Sequence, residues 1–221
     1  MSNTQHKELE EIDDDHVASS YDTPLRADAF ALDDAAKMDI IEDHFKEIMI
    51  TLGLDMTDDS LSGSPKRVAK MFVKEVFSGL NPDNKPVAKL FDNKFNYDQM
   101  LVEKDITFYS HCEHHFVPIF GKVHAAYISS GKVIGLSKIN RIVQYYAKRP
   151  QVQERLTVQI ANELQRVLKT EDVGVVVDAT HLCVASRGVG DTNSKTGTAH
   201  FSGKFKDENK KREFLNYINS K

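Results

Sequence analysis

Three histidines and a cysteine stand within five consecutive residues, His111 to His115, and this cluster limits how the chain can fold. Cys112 and His115 can direct a sulfur and an imidazole at one point from a turn or a strand end. Such a pair suits zinc, which binds cysteine and histidine in a tetrahedral shell. The second of two cysteines, Cys183, lies far downstream in His181-Leu182-Cys183. A zinc site therefore requires a fold that brings the two stretches together.

Three protein ligands, Cys112, His115 and Cys183, would leave one zinc position open, as in catalytic rather than structural sites. A Cys/His nucleophilic site is an alternative, but it leaves one cysteine and two histidines without a role. A disulfide is the simplest structural alternative, although thiols stay reduced in the cytosol. His114 and His181 remain beside the metal, and imidazole commonly transfers protons at neutral pH. The cluster thus predicts metal-assisted hydrolysis.

The composition argues against several other functional classes. The 221 residues carry a net charge of -4, and the sequence pI of about 6.1 does not fit a broad basic surface for nucleic acid. The N-terminal residues are polar and acidic without the apolar stretch of a secretory signal, and no run is long enough to span a membrane. We expect a cytoplasmic protein with neither nucleic-acid nor membrane partners.

Two regions precede the part of the chain that carries the cluster. Residues 1–36 are rich in acidic and poor in apolar side chains, which predicts a disordered tail. Residues 37–100 are predicted to form a helical region, with order beginning near Met38. Ser64-Pro65 is typical of a helix start, because a hydroxyl can cap the helix and proline fits its first position.

Residues 101–221 are predicted to form the catalytic domain. Apolar periodicity favours strands first, then two helices, then two further strands, and a closing helix. The predicted elements are strands 106–110, 122–129, 173–179 and 196–205 and helices 139–146, 152–169 and 209–218. This order indicates an α+β fold with two helices on one face of an antiparallel sheet. His181 and Cys183 would project from one face of an extended segment.

A second constellation of polar residues runs from Gly135 to Arg141. Ser137 could cap the following helix, and Lys138 and Arg141 lie three apart on it. A helix N-terminus with a hydroxyl and two cations can bind an anion, but the same residues suit a solvated helix start. Spacing does not decide between these interpretations. Glu154 is equally ambiguous, because its carboxylate could bind a guanine edge or simply face solvent.

Several of these runs together resemble GTP cyclohydrolase I of the zinc-dependent type. The resemblance rests on long motifs in a fixed order, and it extends from about Ile40 to the C-terminus. The matching runs are Ser64–Met71, Cys112–Phe116, Gly135–Arg141, Arg149–Thr157, His181-Leu182-Cys183 and Arg187-Gly188. Ser64 replaces a usual threonine, and the segments 190–192 and 197–200 differ from the expected pattern.

The resemblance implies conversion of GTP to 7,8-dihydroneopterin triphosphate and formate, the first step of tetrahydrofolate and pterin biosynthesis. Cys112, His115 and Cys183 would bind zinc, whose water would attack C8 of guanine while His114 protonates N7. A second hydrolysis would release formate, and His181 would assist opening of the ribose ring before the Amadori rearrangement and ring closure.

The same resemblance assigns the remaining polar residues. Ser137 would lie close to the sugar as a catalytic residue, and Gln153 would be catalytic and, with Glu154, hold the guanine. The resemblance also places Glu113 among the substrate-binding residues. Three cations would hold the triphosphate. The cations are Lys138, Arg141 and Arg187.

The resemblance also implies a fold and an assembly. The family has the tunnelling fold, a ββααββ unit, and forms toroidal homodecamers of two pentamers with active sites between subunits. Cys112 and Arg187 could therefore serve a pocket shared across chains. An alternative is a non-catalytic zinc-containing oligomeric GTP-binding protein, which would need a fourth protein ligand to close the zinc site. A nitrile reductase of the same superfamily, with a thiol nucleophile and NADPH, would not need the Cys-Glu-His-His arrangement.

Overall fold

The computed structural model describes residues 20–220. Its N-terminal part is helical, as predicted, with α1 at Asp34–Thr51, α2 at Asp59–Ser62 and α3 at Ser64–Met71, which continues as a π-helical turn, Phe72–Val76. Helix α1 begins ahead of the predicted Met38, because the Asp33 carboxylate accepts a hydrogen bond from the Ala36 N–H and caps the helix.

The predicted acidic tail falls partly outside the described part of the chain. Residues 1–19 lie outside it, and residues 20–33 precede α1 as an irregular segment with a turn at 27–30. No helix between residues 20 and 220 has the length and apolar character needed to cross a membrane.

The remaining elements form a sheet with helices on both faces. They are β1 (Leu90–Asp92), β2 (Met100–Cys112), β3 (Pro118–Ile128), β4 (Lys132–Ile134), α4 (Leu136–Ala147), β5 (Pro150–Gln151), α5 (Gln153–Leu168), β6 (Val173–His181), α6 (Leu182–Ala185), β7 (Thr196–Phe201) and α7 (Glu208–Asn219). The main sheet has the order β5-β2-β3-β6-β7, and β1 pairs with β4 separately. The ββααββ order and the α+β class are confirmed.

All neighbours in the main sheet are antiparallel except β2 and β5, which are parallel. The two central helices, α4 and α5, pack over β2 and β6. Their face of the sheet holds the larger apolar core, which includes Phe108, Val123 and Val175. Helix α7 covers a smaller core that includes Met100 and Ala126. Because adjacent residues of a strand point to opposite faces, the two cores lie on opposite sides of the sheet.

A β-bulge in β2 changes which side chains face α4 and α5. The register with β3 shifts between Glu103 and Ile106, and Asp105 lies in the left-handed region with φ 60°. The Asp105 N–H donates to His124 Nδ1 at 3.2 Å, which fixes the bulge. One extra residue reverses the alternation of faces. Met100 therefore faces α7, whereas Phe108 faces the two central helices.

A buried carboxylate on α5, that of Glu163, connects the two central helices to the loop that carries Lys85. Glu163 is 4% exposed and accepts hydrogen bonds from Arg166 and from the Tyr146 hydroxyl. Lys85 lies 2.8 Å from the same carboxylate. Burial alone would raise the pKa of Glu163, but the hydrogen bonds and charges of Arg166 and Lys85 outweigh burial and hold the pKa below its usual value.

We expect Glu163→Gln to lower the free energy of unfolding at pH 7 by about 2 kcal/mol, because buried charged hydrogen bonds are lost. A lowered folded-state pKa stabilises the protein above the unfolded-state pKa of about 4.3, and this contribution disappears as pH falls through the folded-state value. Urea unfolding at matched protein concentration should show a stability difference that starts to shrink below about pH 4 and closes once pH is below the folded-state pKa of Glu163. Glu208→Gln is the control, because Glu208 pairs with Lys211 at the surface. A constant difference at every pH would contradict this assignment.

Candidate active site

The predicted metal ligands converge at one end of the sheet. One potential ligand atom from each of Cys112, His115 and Cys183 lies within 4.8 Å of the others. Strand β3 brings the two stretches together, because its first residues pair with His111 on one side and with His181 on the other. Two sequence segments seventy residues apart thereby meet across a single strand.

A tight turn after β2 presents the histidines. The Cys112 N–H donates to the Val117 carbonyl, and the Phe116 N–H donates back to the Cys112 carbonyl, both at 2.8 Å. Phe116 lies in the left-handed region with φ 55°, which closes the turn. The Glu113 N–H donates to the Gln151 carbonyl of β5 at 3.1 Å. The sheet thus fixes the backbone that carries the cluster.

The cluster suits a soft divalent metal. Both cysteines are free, which does not support the disulfide alternative. Burial raises the pKa of the Cys183 thiol, and the neighbouring Cys112 raises that pKa further. A cation between the sulfurs would favour both thiolates, and two thiolates with an imidazole are a typical donor set for zinc. Arg187 places Nη1 2.9 Å from His115 Nε2, beside the same cluster.

The buried side-chain amide of Gln153 fixes the position of the His181 ring. Gln153 is 1% exposed, and its Nε2 donates to the carbonyls of Val177 and Thr196, both at 2.9 Å. These bonds leave Gln153 Oε1 directed at His181 Nε2, 2.7 Å away, so this ring nitrogen carries the proton that is donated. Burial lowers the pKa of His181, although the nearby Glu154 carboxylate opposes this effect.

His114 stands beside the cluster and in reach of a buried ion pair. Its Nδ1 lies 3.8 Å from Cys112 Sγ, and its Nε2 lies 3.8 Å from Glu113 Oε1. Both oxygens of Glu113 accept hydrogen bonds from the Arg155 guanidinium. Arg155 was not among the site residues predicted from the sequence. The sequence signal that could have identified it is its position next to the apolar Leu156 of α5. A charged side chain buried there requires a partner of opposite charge.

The predicted anion site lies elsewhere on the chain. Ser137, Lys138 and Arg141 belong to the first half of α4, where Asn140 Nδ2 donates to Glu103 Oε1 at 3.1 Å. Glu103 precedes Cys112 by nine residues on β2, which corresponds to roughly 30 Å along a strand. The fold of one chain therefore separates these three residues from the cluster. Glu154, in contrast, lies in the first turn of α5, next to His181.

Comparisons with known proteins agree with the motifs. The GTP cyclohydrolase I family profile matches residues 41–219. GTP cyclohydrolase 1 of Flavobacterium johnsoniae is 61% identical over 95% of this chain and 94% of its own length. The protein of that name from Aeromonas salmonicida is 53% identical over 90% of both chains.

A solved structure of the apo archaeosine synthase QueF-Like aligns with 47% of this chain and 93% of its own, at 19% identity. The TM-score of this alignment is 0.39. The sequence matches are sufficient by themselves, because they extend over nearly the whole chain at high identity. The chain belongs to the GTP cyclohydrolase I family of enzymes.

Proposed function

We propose that this protein opens the imidazole ring of GTP at C8, releases formate and forms 7,8-dihydroneopterin triphosphate. The observation that carries the proposal is the convergence of Cys112, His115 and Cys183 within 4.8 Å, with His114 and His181 beside them. Ring opening by water needs an activated nucleophile and a proton donor, and this arrangement provides for both.

Zinc is the proposed cofactor, and Cys112, His115 and Cys183 would hold it. Bound there, it would act as a Lewis acid that makes water nucleophilic near neutral pH. His114 would donate a proton to N7 of the guanine as the C8–N bond opens. His181, oriented by Gln153, would move a proton during opening of the ribose ring, and Glu154 would accept hydrogen bonds from the guanine edge.

The buried position of Gln153 supports a role different from direct contact with guanine. Its amide already bonds Val177, Thr196, Thr198 and His181. We therefore propose that Gln153 acts through His181, by fixing the ring and its proton. Ser137 would lie near the sugar during the Amadori rearrangement.

The triphosphate site is proposed to be completed by a second copy of the chain. A polyanion of this charge requires clustered cations. Arg187 lies beside His115, but Lys138 and Arg141 lie near the opposite end of β2 in the same chain. Packing one copy against the next would bring the two groups together, which supports an oligomer with sites between subunits, such as a decamer of two pentamers. The predicted cytoplasmic location and domain limits stay predictions.

We expect the zinc-loaded protein to release one formate per GTP and to give a product that becomes a fluorescent pterin after oxidation. Formate can be measured by a coupled dehydrogenase assay, with zinc content from elemental analysis. The control is the same protein after chelation and dialysis, which should recover activity on addition of zinc. The non-catalytic alternative requires a fourth protein ligand, and residues 20–220 supply three to this group. Tight GTP binding without formate from fully loaded protein would overturn the proposal.

A further inference from the structure

The six residues Ser20 to Leu25, here named the strap, lie beside the predicted active site. The family match begins at residue 41, so the strap precedes it. In sequence it belongs to the acidic segment that was predicted to be disordered. In the structure it contacts α5 at two points and lines a cavity beside His114.

Two hydrogen bonds attach the strap to α5. The Ser20 carbonyl accepts from Arg155 Nε at 2.8 Å, and the Asp22 carboxylate accepts from Gln159 Nε2 at 3.2 Å. Arg155 and Gln159 are one helical turn apart, so both face the strap from the same side of α5. With the strap in place, both residues are 5% exposed, so these two hydrogen bonds are largely shielded from water.

Arg155 links the strap to the turn after β2 that carries Glu113 and His114. Its terminal nitrogens form a two-pronged pair with the Glu113 carboxylate, while Nε is directed at the strap. Its side chain is 2% exposed, and a buried guanidinium requires bonds to all its donor edges. The Ser20 carbonyl accepts the hydrogen bond from Arg155 Nε, the nitrogen that does not contact Glu113. Glu113 in turn lies 3.8 Å from His114 Nε2.

The strap also forms one wall of a cavity of about 440 Å³ next to His114. Glu113, His114 and Arg155 line its other side, and Thr23 and Pro24 line the strap side. His114 itself stays exposed to solvent, so the strap borders the cavity without closing it. A wall in this position would limit the orientations that the His114 imidazole can take.

We propose that the strap is a positioning element of the active site, which acts through Arg155 and Glu113 to orient His114. The inference rests on the proposed function, because His114 is taken as the proton donor. Loosening the strap would leave Arg155 Nε without its acceptor and allow the Glu113 carboxylate to move. His114 would then sample orientations that do not reach the substrate, and turnover would fall more than substrate binding. Misplacement by about 1 Å can lower rates on the order of 100-fold.

The test uses the full chain loaded with zinc, with kcat and KM for formate release from GTP. The strap variant combines Asp22→Ala with Pro24→Gly, which removes the Gln159 contact and increases backbone freedom. Its matched control is Asp28→Ala, which makes the same charge change at a surface carboxylate that pairs with exposed Arg26. Arg155→Lys is the second probe, because lysine keeps the charge but cannot bond Glu113 and Ser20 together.

We expect kcat of the strap variant to fall about tenfold with KM within threefold, unchanged zinc content and unchanged particle size. Asp28→Ala should match the parent protein. Combining the strap variant with Arg155→Lys should cost less than the product of the separate losses, since both act on one linkage. A parent-like kcat, a loss confined to KM, or fully multiplicative losses would each overturn the strap's role. Absence of formate from the parent protein would instead refute the proposed function.

Discussion

Replacing Cys183 by serine will remove zinc and catalytic activity together. A serine hydroxyl is a much poorer zinc ligand than a thiolate, and Cys112 with His115 would offer only two protein ligands. Zinc content should fall from about one per chain towards zero on dialysis. We expect kcat to fall on the order of 1,000-fold or more, because several kcal/mol of charge stabilisation depend on the metal. Elemental analysis and formate release on the same sample provide the measurement.

The control is Val184→Ser, which places the hydroxyl one residue further along α6, at a side chain outside the cluster. It should retain both zinc and activity. A Cys183→Ser protein that still binds one zinc per chain with full turnover would rule out the three-ligand assignment. Circular dichroism of both variants establishes whether the sheet is intact, since a 221-residue chain does not need metal merely to fold.

Replacing His114 by alanine will leave the metal in place and suppress ring opening. His114 is the histidine beside the three-ligand group rather than within it. Loss of a general acid typically lowers turnover by 10²–10⁴-fold, and we expect kcat to fall within that range of about 100- to 10,000-fold. Zinc content should equal that of the parent protein. Single-turnover formate release separates this chemical step from product release.

His44→Ala is the matched control, since His44 is an exposed histidine on α1. Its activity and zinc content should equal those of the parent. Loss of zinc from His114→Ala, with zinc retained in His115→Ala, would reverse the assignment of the two adjacent histidines. The sequence places both rings in one turn, and of the two, His115 belongs to the group whose three possible ligand atoms lie within 4.8 Å of one another.

The order of the main elements was predictable because each carries its own local pattern. The run from Val173 to Ala179 is β-branched and apolar, and α5 repeats apolar residues at helical spacing, so both appeared in the structure near their predicted positions. The strands β1, β4 and β5 have two or three residues each. Such segments are too short for periodicity to show, and pairing with distant partners defines them.

The convergence of the candidate metal ligands was predictable for a chemical reason, whereas the contacts of the residues around them were not. Cysteine and histidine have few other reasons to stand together in a polar turn, so Cys112 and His115 were identifiable before any fold was known. Gln153 was singled out only through the family resemblance, as a catalytic residue that holds the guanine, and Arg155 was given no role. Their roles depend on His181 and Glu113, which meet them only after the sheet has formed. The acidic composition of residues 1–36 likewise predicts disorder, but it carries no information on the Ser20 carbonyl that accepts from Arg155.

The bulge at Asp105 has a consequence for how the sequence of β2 can change over evolutionary time. Cys112 points towards the central helices because an odd number of extra residues stands upstream of it. Deleting one residue between Glu103 and Ile106 would force one end of the strand to present the wrong side chains, either Met100 away from α7 or Cys112 away from Cys183. Length changes in this strand should therefore be tolerated only in steps of two. The direction of Cys112, a proposed metal ligand, thus depends on the bulge at Asp105, seven residues upstream.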